Sequence, residues 1–222
     1  MLKSYVIRAG HFTEAQRKAY ASLSENYIIP FAEEKLDYKK IFGNNGNVTL
    51  EIGFGMGVTT AEIAQANPEK NYIGIEVHRP GIGRLLWEIE KRSISNIRII
   101  EHDAVYAVEK MFPQNSLDAV HIFFPDPWLK KRHRKRRLVQ RPFTEILANC
   151  LKPNGYLYMV TDWEDYALHA LEELNATASL KNAYESFAAP QKWRPVTKFE
   201  QKGLTKEHVI REIYFTKLSY LN

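Results

Sequence analysis

The sequence predicts an α/β fold built on a doubly wound, mostly parallel sheet. Three observations predict it. Short apolar runs recur at "VTLEIG" (48–53), "NYIGIE" (71–76), "IRIIEH" (97–102), "LDAVHIFF" (117–124) and "YLYMVTD" (156–162). Helical apolar spacing fills the intervals, and strands alternating with helices are the pattern of a parallel sheet with crossover helices. Each run ends in or just before an acid, namely Glu51, Glu76, Asp103, Asp126 and Asp162. Ligands of open α/β sheets lie beyond the carboxyl ends of the strands, so the spacing gathers five carboxylates along one edge.

Taken in chain order, residues 1–45 are polar and helical or irregular, which predicts an N-terminal arm or lid of the same domain. Residues 46–222 then form the main domain. After the first strand, Gly53, Gly55 and Gly57 in "LEIGFGMG" allow a sharp turn and close backbone approach to a ligand. A helix is predicted over 58–66. Leu85, Leu86 and Ile89 share the face of a second helix over 82–92, and Val105, Val108 and Met111 mark a third. Phe143, Ile146, Leu147 and Cys150 mark a fourth, which "KPNG" should end with a turn. Ala167, Leu171 and Leu174 mark a fifth helix, and "VIREIYFTKL" (209–218) a late strand.

Composition narrows the function classes. The 222 residues are 45% hydrophobic and 26% charged, the profile of a soluble globular protein. The single cysteine, Cys150, excludes an intrachain disulfide and suits a reducing, cytoplasmic setting. No apolar run approaches the roughly 20 residues of a membrane span, and the first residues lack the apolar core of a signal peptide. The seven histidines show no ligand-like pairing, so no metal is expected. Net charge is +5, yet seven of the eight residues 130–137 are Lys or Arg; without those seven charges the balance is −2. The basicity is therefore one local patch, suited to a polyanion.

The glycine spacing is GxGxG, which departs from the GxGxxG of dinucleotide-binding turns. With Glu51 ahead of it and Glu76 closing the next strand, it fits a nucleoside ligand. Glu76 can accept hydrogen bonds from both ribose hydroxyls, and an acid-rich rim suits a cationic centre better than a pyrophosphate. S-adenosylmethionine, a nucleoside with a sulfonium and an ammonium, meets both requirements. Asp103 would face its adenine amino group or cap the following helix. The stretch "FFPDPWLKKRHRKRRL" (123–138) holds Asp126 between Pro125 and Pro127, beside Trp128, and runs into the basic octet. The prolines stiffen that turn. Cations grip phosphates without choosing a nucleotide, so the adjoining acid is the candidate to meet the base or the methyl donor. Repulsion among close like charges predicts a mobile run that orders only when RNA arrives.

"LEIGFGMG", "GIEVHRPGIG", "HDAV", "FFPDPWLKKRHRKRR", "TDW" and "VTKFEQKG" together resemble the bacterial tRNA (guanine-N7)-methyltransferase family, over about residues 5 to 216. The resemblance implies a Rossmann-like class I methyltransferase with a seven-stranded sheet and helices on both faces. It implies methylation of guanosine 46 in the tRNA variable loop with S-adenosylmethionine. Glu51, Gly53, Gly55, Gly57, Glu76, Asp103 and Asp126 would bind the methyl donor, with Asp126 also catalytic. Lys130, Asp162, Thr197, Lys198, Phe199 and Glu200 would contact substrate. Arg132, His133, Arg134, Lys135, Arg136 and Arg137 would contact RNA. His11 stands where the family pattern expects an arginine. The implied partner is tRNA, with no membrane and no metal, and the enzyme a monomer or homodimer. A methyltransferase for another RNA or for an exocyclic amine is the nearest alternative. A nicotinamide dehydrogenase would want GxGxxG and leaves the octet unexplained, and a non-catalytic RNA-binding protein leaves the strand-end acids unexplained.

Overall fold

The computed structural model describes residues 4–5, 10–196, 200 and 209–219. The chain divides into two compact units, one over Ile7–Pro113 and the other over Gln114–Asn222 with the first six residues.

The first unit runs α1 (Glu14–Tyr27), α2 (Tyr38–Phe42), β1 (Val48–Ile52), α3 (Val58–Ala66), β2 (Asn71–Glu76), α4 (Arg79–Arg92), β3 (Ile97–Glu101) and α5 (Ala104–Met111). β2 lies between β1 and β3 and pairs in parallel with both, with Leu50 opposite Ile73 and Ile75 opposite Ile100. Every residue of β1 is buried, which is why its sequence reads as a near-continuous apolar run without alternation. Leu85, Leu86 and Ile89 are buried on one side of α4, as their spacing predicts.

The expected N-terminal arm is a docked helix within this unit. Thr13 caps α1 through a reciprocal pair, Gln16 N to Thr13 Oγ1 at 3.3 Å and Thr13 N to Gln16 Oε1 at 2.8 Å. The α1 residue Tyr20 donates its hydroxyl to Glu101 at the end of β3 at 2.5 Å, and Arg79 Nε reaches the same carboxylate at 2.6 Å. Ile29 N bonds Ile99 O at 2.8 Å, so the segment after α1 continues the hydrogen-bonding of β3 and covers strand-edge groups that would otherwise be open to pairing.

The second unit contains β4 (Leu117–Phe123), a 3₁₀ helix (Lys131–Arg136), α6 (Phe143–Cys150), β5 (Leu151–Thr161), α7 (Glu164–Asn175), β6 (Leu180–Asn182) and β7 (Arg211–Lys217). β4 and β5 are parallel, while β7 runs antiparallel to both β5 and β6. Together the units supply the seven strands of a mostly parallel sheet. "KPNG" does end α6, but it lies inside β5 as an irregularity: Leu151 pairs with Leu117 and the next matched pair is Tyr156 with Ala119. Asn154, at φ +64°, makes the kink, a left-handed conformation that asparagine adopts more readily than most residues. β6, only three residues long, carries too little pattern to read from sequence.

The start of α4 comes close to the glycine turn. A Cβ on Gly81 would lie 2.0 Å from the Gly55 carbonyl oxygen, closer than any real contact. Gly81→Ala is expected to cost roughly 1–3 kcal/mol or more through overpacking. Urea denaturation measures it, and an unchanged midpoint would contradict the packing described.

Candidate functional site

In the first unit the acids and glycines after β1 and β2 form one connected arrangement. Gly53, Gly55 and Gly57 have φ of +76°, +58° and +66°, a left-handed series that side-chain-bearing residues enter only at a cost. Gly53 and Gly55 are exposed while Gly57 is buried. Glu76 fixes the turn: its carboxylate accepts Gly55 N at 2.9 Å, Val77 N at 2.7 Å and His78 N at 3.1 Å. Three backbone donors hold the side chain at the strand end.

Glu51 is the penultimate residue of β1. It is buried, and no cation pairs with it among the described residues. Burial pushes its carboxyl up to about 7, the Thr60 hydroxyl opposes that rise, and the Glu76 carboxylate adds to it. A carboxyl in this setting gains most from a cationic ligand. Asp103 is the N-cap of α5, with Oδ1 accepting Val105 N at 2.9 Å and Tyr106 N at 3.2 Å. The capping alternative therefore holds for Oδ1, while Oδ2 has no partner among the described residues. Next to it, Phe31 stacks on His102 with ring centroids 3.9 Å apart and planes 8° apart. Nothing in the sequence pattern pairs these two residues, 71 positions apart.

In the second unit, β4 leads into the Pro125-Asp126-Pro127 turn. Both residues flanking it, Phe124 at φ +49° and Trp128 at φ +50°, are left-handed, an unusual conformation for bulky side chains. Phe124 N bonds Val160 O at 2.8 Å, which ties the turn to β5. Trp128 donates its indole N–H to Ser4 O at 3.1 Å, and the Arg136 guanidinium lies 3.8 Å from its ring centroid. Asp126 is half-buried and caps no helix, since the 3₁₀ helix that follows begins at Lys131 with Lys130 as its cap.

The basic run, where charge repulsion predicts mobility until RNA arrives, has a defined conformation with internal partners. Lys131–Arg136 form the 3₁₀ helix because several cations have internal partners. Arg134 pairs with Asp165 at 2.9 Å, and Arg136 donates to Tyr5 O at 3.1 Å. Arg137, expected to contact RNA, is fully buried with its donors turned inward; in this structure it is unavailable to a phosphate. Lys130, Lys131, Arg132 and Lys135 are exposed, with no ion-pair partner among the described residues. Desolvation, then Arg132, Arg136, Lys130 and Lys135, hold His133 below its usual range.

Asp162 is half-buried at the end of β5, and the N-cap of α7 is the next residue, Trp163. Thr197, Lys198 and Phe199 lie outside the described residues. Glu200 is buried and accepts Arg194 Nη1 at 2.5 Å and Nη2 at 2.9 Å. Arg194 also donates Nη2 to Glu212 at 2.8 Å, Nε to Tyr158 Oη at 3.0 Å and Nη1 to Pro195 O at 3.4 Å. Every N–H of that guanidinium is used. Glu200 thus enters an internal network that anchors this loop on β5 and β7. The sequence shows the loop's mixture of cation and acid but not the pairing.

The chain matches, over residues 45–213, the model of a family described as "Putative methyltransferase". It is 53% identical to the tRNA (guanine-N(7)-)-methyltransferase of Nitrosomonas europaea over 97% of this chain and 96% of the relative. It is 46% identical to the enzyme of the same name from Chromobacterium violaceum, again over 97% and 96%. Among solved structures it is similar to the 16S rRNA methyltransferase KamB, with a TM-score of 0.62 at 12% identity over 82% of this chain and 93% of that one. It is also similar to a variant 16S rRNA (adenine(1408)-N(1))-methyltransferase from Catenulisporales acidiphilia, solved with cosubstrate SAM. That match has a TM-score of 0.56 at 15% identity over 85% and 94%. At such identities the two structures establish the fold alone.

The raised Glu51 carboxyl has a consequence for stability. A group whose folded pKa is raised stabilises fully below its unfolded value and loses that contribution as pH rises through the folded one. The wild-type chain should therefore lose stability between pH 4.5 and about 7 on account of Glu51. Glu51→Gln, which resembles the protonated acid, should match wild type at low pH and exceed it above pH 7 by about 2–3 kcal/mol at most. Denaturant titrations at pH 5 and pH 8 measure the difference; parallel curves for the two proteins would exclude it.

Proposed function

We infer that this chain, which belongs to the tRNA (guanine-N(7)-)-methyltransferase family, transfers a methyl group from S-adenosylmethionine to N7 of a guanosine in tRNA. The observation that carries the reading is the near-complete alignment with enzymes of that name at about half identity. The residues of the first unit fit the donor. A buried acid without a cationic partner, beside an exposed glycine turn and a pinned carboxylate, offers charge to an ammonium or sulfonium and acceptors to a ribose.

Bound S-adenosylmethionine supplies an electrophilic methyl group. Guanine N7 carries a lone pair and no proton, so the residues need not strip a proton from the nucleophile. The S–CH₃ bond breaks as the N7–CH₃ bond forms, and positive charge passes to the guanine ring. The task left to the protein is to place the two reactants at about 3–3.5 Å and in line. Asp126, on its stiff turn, is assigned to the guanine: a fixed carboxylate there stabilises the developing charge or holds the base by its imino and amino edge. Lys130, Asp162 and residues 197–199 are assigned to substrate contact, while Glu200, held by Arg194, is assigned to anchoring that loop. Lys130, Lys131, Arg132 and Lys135 are assigned to phosphates. The target within tRNA is guanosine 46 of the variable loop.

Labelled donor and unmodified tRNA test the reading, with aniline cleavage locating any modified purine. Label at a variable-loop guanine with cleavage there is the expected result; label resistant to aniline would indicate an exocyclic amine instead. Asp126→Ala should lower the rate by about 10²–10³, and a retained rate would remove its role. If four cations meet phosphates, log affinity against log salt should slope by about −3 to −4. Replacing Lys130, Lys131, Arg132 and Lys135 by Ala should flatten that slope, measured by filter binding from 50 to 300 mM salt.

A further inference from the structure

We propose that Arg137 is a positioning residue for the Pro125-Asp126-Pro127 turn, set apart from the phosphate-gripping cations with which its sequence groups it. The inference rests on the assignment of Asp126 to the reacting base.

Three observations carry it. First, the Arg137 side chain has 0% exposure, although six of its seven predecessors in the octet are half-buried or exposed cations. Second, its donors converge on the turn and on one acid. Nε donates to Pro127 O at 3.0 Å, Nη1 to Asp165 O at 3.3 Å and Nη2 to the Asp165 carboxylate. The guanidinium also lies 4.9 Å from the centroid of Tyr166, and the Tyr166 hydroxyl accepts Val139 N at 3.0 Å, which closes the cluster from the other side. Third, the turn it grips is held in a conformation its residues do not favour, with left-handed Phe124 and Trp128 at its two ends. Left-handed bulky residues persist only where their surroundings over-determine them.

The upstream end of the turn is tied to β5 by Phe124 N, and the Trp128 ring is held by Ser4 O and Arg136. The bond from Arg137 is to the carbonyl of the residue next to Asp126. A planar fork is needed, because one side chain must serve Pro127 and Asp165 in fixed directions at once. Lysine has the charge but not the fork. Asp165 is the outer anchor; 42% exposed, it is shared between Arg134 and Arg137.

A small displacement of the turn should reduce turnover without touching the phosphate contacts, since misplacement by about 1 Å can cost on the order of 10²-fold. The variants are Arg137→Lys and Asp165→Asn, the second at an exposed carboxylate where folding is less at risk. Arg134→Ala serves as control for the share of Asp165 that does not reach the turn. Single-turnover methylation is measured at saturating donor and tRNA, normalised to donor-binding stoichiometry and run well below each variant's melting temperature. The rate should fall 10- to 100-fold in Arg137→Lys and Asp165→Asn, with tRNA affinity and its salt slope as in wild type. A salt slope flattened by about one unit in Arg137→Lys, or a wild-type saturating rate in both variants, overturns the proposal. Asp126→Asn is measured alongside. If it keeps the full rate, the assignment of Asp126 has failed; if it loses rate while Arg137→Lys and Asp165→Asn do not, the positioning role alone has failed.

Discussion

The carboxylate of Glu76 is the constraint on which the donor-side geometry depends. In a parallel pair, strands lie about 4.8 Å apart, so the turn leaving β1 must pass beside the end of β2. Glu76 uses that proximity. It takes one N–H from the turn after β1 and two from its own strand end. Without it Gly55 N would lose its acceptor, whereas Gly53 N and Gly57 N on either side bond the Ile75 and Phe54 carbonyls. Close approach of α4 at Gly81 and the burial of Glu51 both follow from where this turn is held. The proposed donor site thus rests on backbone amides organised by one acid, with a second acid kept beside it.

The second unit uses guanidinium groups in the same organising way. Arg137 and Arg194 spend their forks inside the protein, on Pro127 and Asp165 in one case and on Glu200, Glu212 and Tyr158 in the other. A buried guanidinium is tolerated only where its donors are met, and removing a partner from such a pair costs roughly 3–5 kcal/mol. Lys130, Lys131, Arg132 and Lys135 have no such duty among the described residues. Lysine predominates there, which suits loose, salt-sensitive phosphate attraction, while arginine is kept where direction matters.

Much of this was legible in the sequence. The limits of α3 and β2 follow from apolar spacing and turn residues and agree to the residue with 58–66 and 71–76, and the four marker residues of the helix before "KPNG" all lie in α6. The strand-end acids and the glycine turn were legible for the same reason: period and punctuation are local properties. What stayed hidden depends on partners distant in sequence. Arg137 reads as one more cation because its partner Asp165 is 28 residues on. α1 reads as a polar arm because its anchor, the Tyr20–Glu101 bond, spans 81 residues. "KPNG" reads as a loop because nothing local shows that Leu151 already pairs with Leu117.

A nucleophile without a proton shifts the burden of catalysis from titration to placement, and the second unit bears the marks of that shift. Phe124 and Trp128 sit in conformations that cost of order 1–3 kcal/mol each. A flexible loop could present a carboxylate without that cost, but it would present it in many orientations, and the entropy of ordering it would be spent at each turnover. Here the ordering is completed during folding. Prolines fix the backbone on either side of Asp126, and Trp128 is wedged between Arg136 and a main-chain carbonyl. Arg137 closes the far side. The same segment then continues into exposed lysines, so the rigid turn and the phosphate-attracting surface share one short stretch of chain. In the proposed reading, joining them this way would let non-specific attraction of the RNA end at a carboxylate whose direction is already set.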